Sequence, residues 1–181
     1  VSMTRTGDTL PSLVERPTQA NAENAAVFVS IHINSVDNAP NANGTEVYYA
    51  DSNNGNAYGT TSEKLATNIL NRMLYYMGST NRGVKTAEHA VTKRCEMPAA
   101  LTEVGFITNP TEVYNMTTDE YQYKAAQGIA EGIMITLKIL MFRNNFVFKM
   151  NCLSYLGKAV FFIIMFRLKY VETFFLFDNR L

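Results

Sequence analysis

Tryptophan is absent from this chain of 181 residues, and histidine and cysteine occur only twice each. Two cysteines, Cys95 and Cys152, cannot staple a small disulfide scaffold or fill a structural zinc site of four thiolates. Long apolar runs are missing too. The longest is eight residues, from Ala159 to Phe166 between Lys158 and Arg167, where a membrane span needs about 20. There is no excess charge of either sign: 16 Lys and Arg stand against 16 Asp and Glu, which disfavours a basic nucleic-acid footprint. Charged residues make up 18% of the chain and hydrophobic residues 47%, so general disorder is disfavoured as well. The first residue is Val1, and no basic segment leads into an apolar run as a signal peptide would. The expectation is that sequence is missing before Val1, which leaves export open.

What is present divides into two compositions. Residues 1–133 hold 9 basic and 14 acidic residues, a net of −5, and residues 134–181 hold 7 and 2, a net of +5. The second stretch contains 9 of the 11 Phe and a single Ala, while the first contains 16 Ala. We therefore expect a domain over 1–133 and a hydrophobic, basic tail over 134–181. Three accounts of the tail stay open: appended non-native sequence, a membrane-associated segment, or a C-terminal helix covering the domain.

Along the first stretch, Val1–Arg5 reads as a short strand. Ser12 and Glu15 have the spacing of a capping box, with a helix expected to about Ala25 and a kink at Pro17. Residues 26–33 are apolar and rich in β-branched side chains, as buried parallel strands are, and Thr45–Ala50 is a further strand. From Ser62, Leu65, Ala66, Ile69, Leu70, Met73, Leu74 and Met77 recur at helical spacing, and Gly78 stands where a helix ends. His89–Thr92 reads as a short strand and Ala99–Val104 as a stronger one. Asn109 is placed to cap a helix with Pro110 in its first position. A last helix opens at Thr118, with Tyr121, Ala125, Ile129 and Ile133 on one stripe and with Gly128 and Gly132 expected to approach the sheet. Strands alternating with helices give an α/β class.

Two residues stand out for chemistry. His32 falls at the carboxyl end of a buried strand, where ligand sites of open α/β sheets gather; a strand-end histidine bonded to backbone is the other reading. Glu103 is the only charge in the run Pro98–Phe106. A carboxylate in a buried strand is costly unless it is paired, bound to metal or placed in a site; an exposed glutamate on an edge strand is the alternative. Brought together, the two supply parts for metal-assisted hydrolysis, with the carboxylate as general base. Arg82, Lys85, Lys93 and Arg94 read as a solvated face rather than a contact for an anionic polymer. Cys95 follows Arg94, which could lower its pKa, but it reads as a free structural thiol. Tyr48 and Tyr49, strand neighbours, are expected to split between core and surface.

Five blocks in order carry a resemblance: Thr4-Arg5 with Leu13-Val14-Glu15-Arg16 and Ala20-Asn21; Ser30-Ile31-His32-Ile33-Asn34; Gly44-Thr45-Glu46-Val47-Tyr48-Tyr49; Arg82-Gly83-Val84-Lys85; and Met97 through Asn109. Together they resemble the zinc-dependent N-acetylmuramoyl-L-alanine amidases of bacterial cell-wall lysis, the amidase-3 family. The resemblance implies a mixed, mostly parallel sheet flanked by helices, lacking the family's first strand and helix. It implies a secreted peptidoglycan hydrolase of the cell wall, an autolysin that cleaves the amide between N-acetylmuramic acid and L-alanine with zinc-activated water. His32 matches a zinc ligand and Glu103 the catalytic glutamate; Asn34 is a candidate substrate contact. The family's other two ligands, a histidine and a glutamate, are not matched in this chain. His89 and Glu46 have no ligand role in the family pattern, so a rebuilt zinc site using either is disfavoured. The expected partner is peptidoglycan, with no nucleic acid and no transmembrane span. The chain as it stands is expected to be inactive; the alternative is a non-catalytic wall-binding or regulatory piece.

Overall fold

The computed structural model describes residues 1–138 apart from 56 and 58, together with the backbone of residues 163–166 and 173–176. In chain order the elements of the first stretch are α1 (Glu15–Ala22), β1 (Phe28–Asn34), β2 (Thr45–Tyr49), α2 (Ser62–Met77), β3 (Asn81–Thr86), α3 (Ala90–Lys93), β4 (Ala99–Phe106), α4 (Pro110–Met116) and α5 (Asp119–Thr136). A 3-10 turn, Asp51–Asn53, precedes α2. Beyond them, β5 (Ile163–Phe166) and β6 (Thr173–Leu176) pair antiparallel. The rest of the expected tail, 139–162 and the remaining positions to 181, lies outside the described residues, as do Cys152 and most of the apolar run from Ala159. No helix among the described residues is long and apolar enough to cross a membrane.

The four strands of the main sheet lie in the order β1-β4-β2-β3. β1 is parallel to β4 and β2 to β3, while β2 and β4 are antiparallel. The sheet is thus mixed and mostly parallel, as expected. Strand alternation sends Val29, Ile31, Val47, Tyr49, Ala100 and Val104 to one face, where they form a core with α2 and α5. Phe28, Ala99 and Leu101 point to the other face and pack with Ala20 of α1, Val91 of α3, Cys95 and Met97. Tyr48 and Tyr49 do split, but across the sheet rather than between core and surface: Tyr48 packs against the second cluster and Tyr49 is buried in the first.

Local signals explain the helices. Thr61 accepts from the N–H of Lys64 to open α2, and Gly78, left-handed with φ +65°, closes it through a bond to the Leu74 carbonyl. The Asn109 side chain accepts from the N–H groups of Thr111 and Glu112, with Pro110 in the first helical position. Ser12 and Glu15 form the reciprocal capping box. Pro17 is the third residue of α1, inside the first turn, where the backbone N–H has no helical partner anyway, so no helical hydrogen bond is lost there.

Three expectations are corrected. Val1–Arg5 is not a strand; it finds no ladder partner among the described residues, and its buried member Arg5 bonds the Thr9 carbonyl instead. His89–Thr92 is not a strand but the cap and body of α3. The strand in that region is β3, disguised by Arg82, Gly83 and Lys85. Gly128 and Gly132 approach α2 rather than the sheet. A Cβ on Gly132 would lie 2.4 Å from the Ile69 Cα, and one on Gly128 2.6 Å from the Met73 Cα. Backbone on backbone leaves no side chain to swing away, so the helices must separate to admit a methyl group. Gly132→Ala is therefore expected to cost about 1–3 kcal/mol of stability by overpacking, read as a lowered urea midpoint with an unchanged slope. An unchanged midpoint would mean that α2 and α5 do not approach this closely.

Candidate functional site

The register places a row of polar side chains straight across the second face of the sheet. His32 on β1 pairs with Glu103 on β4, and Glu103 pairs with Glu46 on β2. Glu46 in turn lies opposite Arg82 and Gly83 on β3, because the ladder between Thr45 and Val47 skips from Asn81 to Val84. At a strand spacing of about 4.8 Å, the row spans about 14 Å. Strand direction explains why the first pair meets. In parallel register, paired residues project to the same face, and Phe28 with Ala99 in the same ladder are both in the second core cluster. Glu103 is thus on a central strand, which removes the edge-strand reading.

Glu103 is largely buried, and among the described residues its Oε2 finds no hydrogen-bond partner. Burial, aided by the negative charge of Glu46, pushes its carboxyl up to about 8. The group is therefore poised to hold or release a proton near neutrality, as general acid–base work requires. Beside it, His32 Nε2 lies 2.9 Å from the Ser30 Oγ, and Ser30 is fully buried. That bond runs along one strand between residues on the same face, and it fixes the ring's tilt.

Glu46 is the residue that sequence reasoning undervalued. Its side chain is only 2% exposed, yet it is charged. Oε1 accepts from Asn34 Nδ2 and from the Tyr48 hydroxyl, both at 2.8 Å. Oε2 accepts from Arg82 Nε at 2.8 Å and from Lys85 Nζ. Burial works to raise its pKa, but the bonds to Lys85, Arg82 and Tyr48 outweigh it and the net shift is downward. Arg82 and Lys85 are consequently not a simple solvated face. Burial and the Glu46 charge together push Tyr48 up to about 12, so it stays protonated and donates. The signal was present in sequence as one acidic residue inside an apolar strand and two basic residues three apart; what joins them is the irregular ladder, which sequence does not reveal.

Asn34 sits at the end of β1 on the same face, half-buried. Its amide is committed on both sides, donating to Glu46 and accepting from the Ser35 N–H at 2.8 Å. His89 stacks edge-on against Tyr48, ring centroids 5.3 Å apart, and burial lowers its pKa. Cys95 is buried at 5% exposure, its thiol raised by burial. Glu112, also unsuspected from sequence, accepts from the N–H groups of Gly44 and Phe106 and so ties the start of β2 to the end of β4.

A catalytic zinc takes three protein ligands and leaves one position open. Among the described residues no group of three or more His, Cys, Asp or Glu converges to hold an ion. Glu46 has both oxygens occupied by four donors, and His89 is turned against Tyr48. The described residues therefore do not fit a resident zinc.

Comparison with known proteins places this geometry. The family model for N-acetylmuramoyl-L-alanine amidase, amidase-3, matches residues 1–134. The chain is 37% identical to YqiI of Bacillus subtilis, covering 71% of this chain and 60% of that protein. It is also 37% identical to the N-acetylmuramoyl-L-alanine amidase LytC of the same organism, covering 72% of this chain but 25% of LytC. The chain thus spans less than two thirds of the length of these relatives. The crystal structure of an N-acetylmuramoyl-L-alanine amidase from Clostridium difficile superposes with a TM-score of 0.69 at 33% identity, over 76% of this chain and 72% of that one. With fold and sequence in agreement, this chain belongs to the amidase-3 family of N-acetylmuramoyl-L-alanine amidases.

Proposed function

We propose that residues 1–133 are the core of a peptidoglycan amidase acting in the cell wall or outside the cell, on the amide between N-acetylmuramic acid and L-alanine. The observation that carries this is the pairing of His32 with Glu103 on one sheet face. Glu103 is the proton carrier: ionised, it takes a proton from the attacking water; protonated, it delivers that proton to the leaving amine. Its buried, unpartnered Oε2 is the atom available for that transfer. His32, steadied by Ser30, contributes the one side chain that matches a family metal ligand. Asn34 lines the rim, with its amide held by Glu46 and its Oδ1 keeping one lone pair for substrate. No step is routed through zinc, because the described donors do not build its site.

That same donor set favours a second reading for the chain as it stands: a wall-binding or regulatory piece that keeps the substrate face without turnover. One experiment separates the two. Calorimetric titration of residues 1–181 with zinc is expected to give weak or no binding, and digestion of purified sacculi with zinc present is expected to release no new N-terminal alanine. Release of N-terminal alanine that disappears in Glu103→Gln would establish catalysis. Release that survives Glu103→Gln would overturn the role given to Glu103. Tight one-to-one zinc binding lost in His89→Ala would bring His89 into the site after all.

A further inference from the structure

We propose that Arg82 and Lys85, held side by side by Glu46, form a carboxylate-binding subsite for the peptide portion of the substrate. The proposal rests on the amidase reading above. Its first support is how the pair is built. Three residues apart on a regular strand, Arg82 and Lys85 would project to opposite faces. Between Asn81 and Val84, however, two residues of β3 oppose the single residue Glu46 of β2. Gly83 takes up the extra residue at φ +91°, a conformation that side chains disfavour. Such a bulge re-aims a side chain, and here it turns Arg82 to the face that Lys85 already occupies.

The second support is charge. One buried carboxylate is met by two cations and two neutral donors. A single cation would neutralise Glu46; the second leaves one positive charge uncompensated. That charge is reachable: the Arg82 and Lys85 side chains are 35% and 37% exposed. The Arg82 guanidinium carbon also lies over the Phe106 ring, 4.8 Å from its centroid, a contact that restrains the side chain. Its Nε is spent on Glu46, and only a 3.4 Å contact to the Asn43 carbonyl engages Nη1. A planar guanidinium beside an ammonium is suited to a carboxylate.

The third support is position. The pair closes one end of the row that starts at His32, and β3 is two strands from Glu103, about 10 Å. An extended peptide covers about 3.3–3.6 Å per residue. A leaving peptide whose amide sits at Glu103 would bring a carboxylate on its second residue within reach of these two long side chains.

The test uses amide-resonance titrations of the full chain with two ligands that differ only at that group: N-acetylmuramoyl-L-alanyl-D-glutamate, and the same molecule with the glutamate α-carboxylate converted to its amide. The acid is expected to bind about five- to tenfold more tightly, moving resonances of β3. Lys85→Gln should erase that preference while keeping the weaker binding of the amide. Arg82→Lys, which keeps the charge but loses the planar fork, should reduce the preference while the protein stays folded. Equal binding of acid and amide, or a preference that survives Lys85→Gln, overturns the subsite and leaves the amidase reading standing. Binding of neither ligand overturns both. Stronger shifts of the same resonances by glycerol phosphate than by the acid would reassign the pair to a phosphate polymer and overturn the peptide proposal.

Discussion

Glu103→Gln is expected to stabilise the protein in metal-free buffer, with a gain that grows as the pH rises. Burial and the neighbouring Glu46 charge raise the folded carboxyl to about 8 from its ordinary value of 4.5. Between those values the folded chain holds a proton that the unfolded chain has released. Stability of the wild type therefore falls as pH rises through this window, and the loss is complete once the folded group ionises. Glutamine does not titrate, so the two stability curves should lie close near pH 5 and separate toward pH 8. The full shift would correspond to about 5 kcal/mol, an upper bound for a group that can relax or draw in water. A gain of about 1–3 kcal/mol at pH 8 is the working figure, which for a chain of this size is several degrees in Tm. Thermal melts of both proteins with chelator across that range measure it. Parallel curves would mean that Glu103 is already ionised and solvated, and its proposed part in proton transfer would fall with that. A stabilising substitution is what a buried carboxylate kept for the proposed proton transfer predicts.

The same site shows what was legible in the sequence and what was not. β1 and β4 were legible because burial on both faces demands unbroken apolar runs, and His32 and Glu103 stood out as exceptions within them. α2 and α5 were legible because their apolar stripes carry the 3.6-residue period and their ends carry caps, Thr61 with Gly78 and Thr118. β3 was not, since it is the last strand of the sheet, with no residue fully buried, and an edge strand needs neither apolar alternation nor freedom from glycine. Gly128 and Gly132 were read correctly as points of close approach but assigned the wrong partner. Spacing shows which residues share a helix face, and only the packed structure shows that α2 lies against it. Glu46 was weighed only as a zinc ligand, and its part in gathering two cations escaped notice for a related reason. Its cations are 36 and 39 residues away in sequence, and the irregular ladder that gathers them has no local signature beyond Gly83.

Removing Glu46 is expected to do the most damage of any substitution in this row. Glu46→Ala strips one acceptor group from four donors at once: Asn34, Tyr48, Arg82 and Lys85. Two of these are cations brought together on one face, and without the carboxylate they repel each other beside a cavity. Breaking a buried ion pair by deleting one partner costs about 3–5 kcal/mol, and the partly exposed cations here argue for the lower part of that range, since water can reach them. Glu46→Gln keeps the shape and one acceptor oxygen, so it should recover the Asn34 and Tyr48 bonds but not the charge, at a cost of about 1–2 kcal/mol. The two variants therefore separate packing from charge. Urea unfolding in low and high salt reads the difference: the Gln variant should regain part of its loss in high salt, where repulsion between Arg82 and Lys85 is screened. The effect on Glu103 runs the other way. With the Glu46 charge gone, the Glu103 carboxyl should titrate lower, while burial, the larger cause, still holds it above 4.5. If Glu46→Ala instead unfolds no more easily than wild type, the four bonds are not made in solution, and the row from His32 to Arg82 is not the preformed surface described above.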